Sequence, residues 1–146
     1  MTTKNIELVK KSWALVAAID VETVGGLFYG RLFDIAPEVK PMFNRTSIPE
    51  QSKKLMAMLS YVISKLDKLN EILHEVARLA KRHTKYGVTD DHYMAVGDSL
   101  LWTLEKGLGE HWNKELKIAW MDIYGVLSSA MISAQKNANT EVAMLE

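Results

Sequence analysis

The chain has 146 residues, 48% of them hydrophobic and 25% charged, a size and composition suited to one globular domain with a single core. Lys+Arg and Asp+Glu both number 18, so no basic surplus points to nucleic acid or to an anionic membrane surface. There is no cysteine, which excludes disulfides, thiolate metal sites, iron–sulfur clusters and a cysteine nucleophile.

Apolar residues step by three or four along almost the whole sequence, the period of an amphipathic helix. Ile6, Val9, Trp13 and Val16 mark a first helix face. Val24, Phe28, Leu32 and Ile35 mark a second. Pro37 then suits the first position of a short helix. Ser47 with Glu50 three residues on reads as a capping box, and Leu55, Leu59, Val62 and Leu66 mark the long helix it opens. Leu73, Val76 and Ala80 lead to His83, and Gly87 follows closely enough to end that helix. Thr89 or Asp90 caps the next helix, with its face at Tyr93, Val96, Leu100 and Leu104. Leu116, Trp120, Ile123, Leu127 and Met131 form the last, and the pattern is lost from about Asn137, where fraying is expected. No stretch alternates strictly, so no sheet is predicted. The fold class is all-α, a packing of unequal helices in one domain over 1–146. No stretch reaches the roughly 20 apolar residues of a membrane helix, and the N-terminus lacks a signal-like apolar run, so the expectation is a cytoplasmic protein without a membrane partner.

Three polar residues interrupt apolar faces. His83 stands where the stripe of its helix should continue. It reads either as a core histidine bonded to a carbonyl or as a metal ligand, haem iron among the choices. Tyr29 lies beside the Val24–Phe28–Leu32 stripe, one turn after Gly25, and glycines there let another helix cross closely. Its phenol either reaches solvent or enters a tight space where it needs a partner. Gln51 shares a face with Leu55 and Leu59, either as an exposed first-turn residue or as an amide in an apolar wall. Together the three could line a cavity for a large flat cofactor, an arrangement the spacing permits without establishing. Searches for GxSxG, P-loop, GxGxxG and HExxH motifs are negative. His92 and His111, near predicted helix starts, read as solvated, and the four tryptophans as packing residues.

The segments "ELVKKSW", "LFYGRLF", "PEVKPMF", "EQSKKLM", "AKRHTKYGV", "HYMAVGDSLLWTL" and "AWMDIYGVL", in that order and spacing, resemble a bacterial globin. The chain is similar to flavohaemoglobin haem domains and to single-domain haemoglobins of the Vitreoscilla type. The resemblance runs from about Glu7 to Gln135. It implies a globin fold of about six to eight helices around a buried haem b. It also implies His83 as the proximal iron ligand, and Tyr29, Gln51 and Leu55 on the distal side. Phe43, Phe28, Val88, Tyr93 and Val96 become cofactor contacts, and Arg82 a candidate for the haem propionates. Tyr93 would bond near the ligating histidine, and Gln135 stands where flavohaemoglobins carry a glutamate in that network. A neutral amide raises ligand basicity less than a carboxylate does. Gln51 replaces the distal histidine of vertebrate globins, which implies an open or water-filled distal site. The implied ligand is O2, with NO and CO as further diatomics. The implied function is high-affinity reversible binding, or nitric oxide dioxygenation. The chain stops just after the haem region, so for the second function a separate reductase is expected as partner.

Overall fold

The computed structural model describes residues 1–85 and 88–145, with backbone only for 83–85 and 137–145. Among the described residues every regular element is helical: α1 (Thr3–Ala17), α2 (Val21–Ile35), α3 (Ile48–Ser64), α4 (Leu73–Lys85), α5 (Asp90–Leu108) and α6 (Lys114–Leu145). Short 3-10 stretches occupy Pro37–Phe43, Leu66–Ile72 and Gly109–His111. No single helix is long and apolar enough to cross a membrane among the described residues.

Helix starts follow local chemistry. The first backbone N–H groups of a helix lack internal partners, and a short polar side chain supplies one. Thr2 accepts from the Asn5 N–H at 3.1 Å, Asp20 from the Thr23 N–H at 3.2 Å, and Ser47 from the Glu50 N–H at 3.3 Å. Pro37 opens its 3-10 stretch as its fixed φ favours. Two features depart from expectation. The third helix ends at Ser64, and Leu66 belongs to a separate 3-10 stretch kinked at Lys68 (φ −134°, ψ 43°). The last helix keeps its backbone form to Leu145, past the point where the apolar pattern fades.

The core is built from the predicted stripes. Val9, Val16, Leu32, Leu104 and Ile123 are fully or almost fully buried. Ile35, last on the α2 stripe, is exposed because the helix ends there and the chain turns away at Ala36. The Trp13 and Trp120 rings lie 6.1 Å apart at 58°, and each indole N–H finds a hydroxyl: Ser60 Oγ at 3.0 Å and Ser12 Oγ at 2.9 Å. Buried polar groups of this kind must be partnered.

Two helix crossings need glycine. A Cβ at Gly25 would fall 1.8 Å from Ser52 Oγ and 2.2 Å from Ser52 Cβ, so α2 and α3 pass in backbone-to-side-chain contact. Ser52 is wholly buried, and its hydroxyl donates to the Ile48 carbonyl at 2.7 Å. A Cβ at Gly97 would meet the Tyr124 ring at 3.1 Å, which presses α6 against α5.

Candidate functional site

A cavity of about 210 Å³ opens between the helices. From α3 its wall takes Leu55, Met58, Leu59 and Val62; from α4, Val76 and Leu79; from the start of α5, Val88, His92, Tyr93 and Val96. Phe28, Met42 and Phe43 close one end, and Trp120, Tyr124 and Met131 of α6 another. The polar groups in this wall are few and mostly engaged. The Trp120 N–H goes to Ser12, and the Tyr124 hydroxyl donates to the Tyr93 carbonyl. An apolar wall with a few placed polar groups suits a large flat hydrophobic cofactor, so the wall chemistry fits the haem that the resemblance implies.

Of the predicted contacts, Phe28, Phe43, Leu55, Val88, Tyr93 and Val96 all stand in this wall. The side chain of His83 lies outside the described residues, as do Tyr86 and Gly87. Its helix is described: Val76 and Leu79 face the cavity, and position 83 follows them by seven and four residues, the register of the same face. Arg82 is exposed and takes no part in the wall. Gln135 is buried, one turn beyond Met131, without itself lining the cavity.

Tyr29 and Gln51 are brought together, and neither is among the residues that line the cavity. Tyr29 is buried in an aromatic cluster, with Phe28 edge-on at 5.0 Å and Phe43 at 5.3 Å. The Gly25–Ser52 crossing sets this placement, because Tyr29 is one turn past Gly25 and Gln51 directly precedes Ser52. Burial pushes the Tyr29 phenol up to about 12, with the Gln51 amide pulling weakly the other way.

Tyr93 is likewise pushed up to about 12, by burial first and the Asp90 charge second. Tyr124 is pushed up mainly by burial, then by Tyr93, against a smaller pull from a backbone hydrogen bond.

The reading of His92 as solvated is corrected. Its side chain is only 14% exposed and forms part of the cavity wall. Its Nδ1 accepts from the Thr89 N–H at 3.1 Å, and its Nε2 lies 3.9 Å from a Glu38 carboxylate oxygen. This network assigns the neutral ring's proton to Nε2. Metal coordination takes a ring-nitrogen lone pair, and the one on His92 already accepts a backbone N–H. The signal available in the sequence was the spacing of three from the helix-opening Thr89, the reach of a capping-box side chain. Among the described residues no group of three or more His, Cys, Asp or Glu could hold a metal ion.

Comparison with known proteins agrees with this geometry. A family model described as Globin matches residues 26–131. The chain is 31% identical over 140 residues to a flavohemoprotein of Bacillus subtilis; the alignment takes in 94% of this chain and 35% of the relative, so the chain spans about a third of that protein's length. It is 32% identical over 157 residues to an anaerobic nitrite reductase of Gossypium hirsutum, covering 97% of this chain and 98% of the relative. The solved structure of a bacterial globin from Campylobacter jejuni superimposes with a TM-score of 0.82 at 26% identity, covering 95% of this chain and 99% of that one.

Proposed function

The chain belongs to the globin family and is a haem-binding globin, and from that premise we propose that it binds O2 reversibly and tightly, with His83 as proximal ligand and Tyr29 and Gln51 as distal donors. The observation that carries the proposal is the buried Tyr29 phenol beside the Gln51 amide, packed against the cavity residues Phe28 and Phe43. Haem, when bound, supplies an iron with one position for the protein and one for a diatomic ligand. The residues do the rest. His83, in register with Val76 and Leu79 on α4, would hold the iron. The aliphatic wall excludes water and grips a flat ring by shape. Tyr29 and Gln51 would supply the hydrogen-bond donors for a polarised diatomic ligand. With glutamine at position 51 in place of a histidine, no second imidazole blocks the distal side. Tyr93 holds the proximal imidazole, and buried Gln135 extends that network without a carboxylate's charge.

A hydrogen bond to a charged partner contributes about 1.5–3 kcal/mol, or roughly ten- to a hundredfold in affinity. Tyr29→Phe is expected to speed O2 dissociation by about that factor, and Gln51→Leu by less, in stopped-flow displacement with CO. Equal dissociation rates in wild type and Tyr29→Phe would refute the distal-donor assignment. His83→Ala is expected to change the visible absorption spectrum of the haem-loaded protein, and an unchanged spectrum would remove His83 as ligand.

The similarity to a flavohemoprotein favours a second reading on the same residues, nitric oxide dioxygenation with electrons from a reductase. Nitrate formation from an NO pulse onto the O2-loaded protein, with re-reduction by cell extract, distinguishes it from simple O2 storage.

A further inference from the structure

We infer that His92 is a positioning residue for Tyr93: its imidazole fixes the first turn of α5 and so sets where Tyr93 and Val88 meet the cavity. The inference rests on the proposed role of Tyr93 as partner of the proximal histidine.

The argument starts from an orphan donor. The opening N–H groups of α5 need acceptors from outside the helix. At Thr89 that acceptor is the Nδ1 of His92, three residues on, at 3.1 Å. An imidazole here does what a Glu or Gln does in a capping box. The turn it closes has Val88 at its entry and Tyr93 at its exit, and both stand in the cavity wall. On its other side, the Tyr93 carbonyl accepts from the Tyr124 hydroxyl, whose ring is pressed onto Gly97. The Tyr93 N–H donates to the Thr89 carbonyl at 3.3 Å, so the Tyr93 backbone is held on one side by α6 and on the other by the turn that the His92 ring closes.

The Nε2 side of the ring points to Glu38 in the Pro37–Phe43 stretch, which also carries the wall residues Val39, Met42 and Phe43. At 3.9 Å, with Glu38 63% exposed, that contact is weak, and the capping bond dominates.

The test uses the haem-loaded protein, with the ferrous iron–histidine stretching frequency by resonance Raman and the rate of haem transfer to a scavenger as readouts. His92→Ala is expected to move the frequency in the same direction as Tyr93→Phe and to speed haem loss about tenfold, the lower end of what outer-shell partners of a metal ligand contribute. His92→Gln restores an acceptor at the right reach and is expected to bring both readouts back, and Glu38→Gln to change neither. In the double variant His92→Ala/Tyr93→Phe the frequency should move no further than in Tyr93→Phe alone. A wild-type frequency in His92→Ala, alongside a shifted one in Tyr93→Phe, would overturn the inference and leave the proximal role of Tyr93 standing. Failure of His92→Gln to restore what His92→Ala loses would overturn the capping role. An unshifted frequency in Tyr93→Phe would instead sink the proximal reading, and the inference with it.

Discussion

The two sides of the cavity are built by different means. On the α2–α3 side, position is set by steric contact: Gly25 lets Ser52 approach to where a Cβ would stand, and this delivers Tyr29 to Gln51. On the α4–α5 side, position is set by hydrogen bonds at a helix start: His92 on the Thr89 N–H and Tyr124 on the Tyr93 carbonyl. A packed crossing resists small displacements, because close-packed interiors transmit strain. A helix terminus held by two hydrogen bonds gives way locally when either is lost. Substitutions on the first side should therefore cost stability and displace Tyr29 and Gln51, and those on the second should change mainly the chemistry of one residue.

The largest effect expected from this contrast is alkaline. Tyr29 and Tyr93 have folded-state values raised from 10 to about 12. Between those values the unfolded chain gives up its phenolic protons first, so the native state holds more protons and stability falls as pH rises. The contribution is complete below about pH 10 and lost by about 12, at about 2–3 kcal/mol for Tyr29 and less for Tyr93, where solvent screens part of the effect. Urea midpoints across that window should fall steeply. Tyr29→Phe and Tyr93→Phe should each remove one share of the slope, which assigns it to one side of the cavity or the other. A flat profile would contradict both burials.

Next comes the crossing itself. Gly25→Ala gains about 1 kcal/mol of helix propensity but meets Ser52 atoms at 1.8 and 2.2 Å. Overpacking costs of about 1–3 kcal/mol or more should outweigh that gain. Chemical denaturation should show net destabilisation, and adding Ser52→Gly should recover most of it. The iron–histidine frequency should stay fixed in Gly25→Ala while O2 dissociation changes, the opposite of the pattern expected for His92→Ala. Both readouts moving together in either variant would erase the distinction between the two sides.

The smallest effect belongs to the surface. Lys65 Nζ lies 3.9 Å from Glu71 Oε2, with the Lys65 side chain half-buried and that of Glu71 exposed. Lys65→Ala should shift stability by less than about 1 kcal/mol and leave ligand kinetics alone. A larger change would mean that this pair helps to set α4.

Much of this architecture is legible before any coordinates. The stripes Val9–Trp13–Val16 and Leu100–Leu104 announce buried helix faces, since 3.6-residue periodicity and burial are the same fact seen twice. Ser47 announces a helix start for the same local reason. The crossing is half legible: Gly25 signals a close approach, yet nothing in the sequence says that Ser52 is what approaches. The cavity residues Phe43, Leu55 and Val96 emerge from the resemblance, because a wall made by several elements has no sequence period of its own. His92 escapes because its burial depends on Glu38 and its neighbours, some fifty residues earlier, folding over the start of α5. A histidine in a first helical turn carries no local mark of that. The kink at Lys68 has no sequence signal that we can identify.

The Gly25–Ser52 contact also restricts the order in which this sequence can drift. A residue at position 25 has nowhere to place a Cβ while a serine side chain fills the space, so that position cannot enlarge first. Position 52 must shrink before position 25 can grow, and the two changes make one viable path with a single direction. Because Tyr29 and Gln51 hang from either side of this contact, any lineage that took that path would shift the two together.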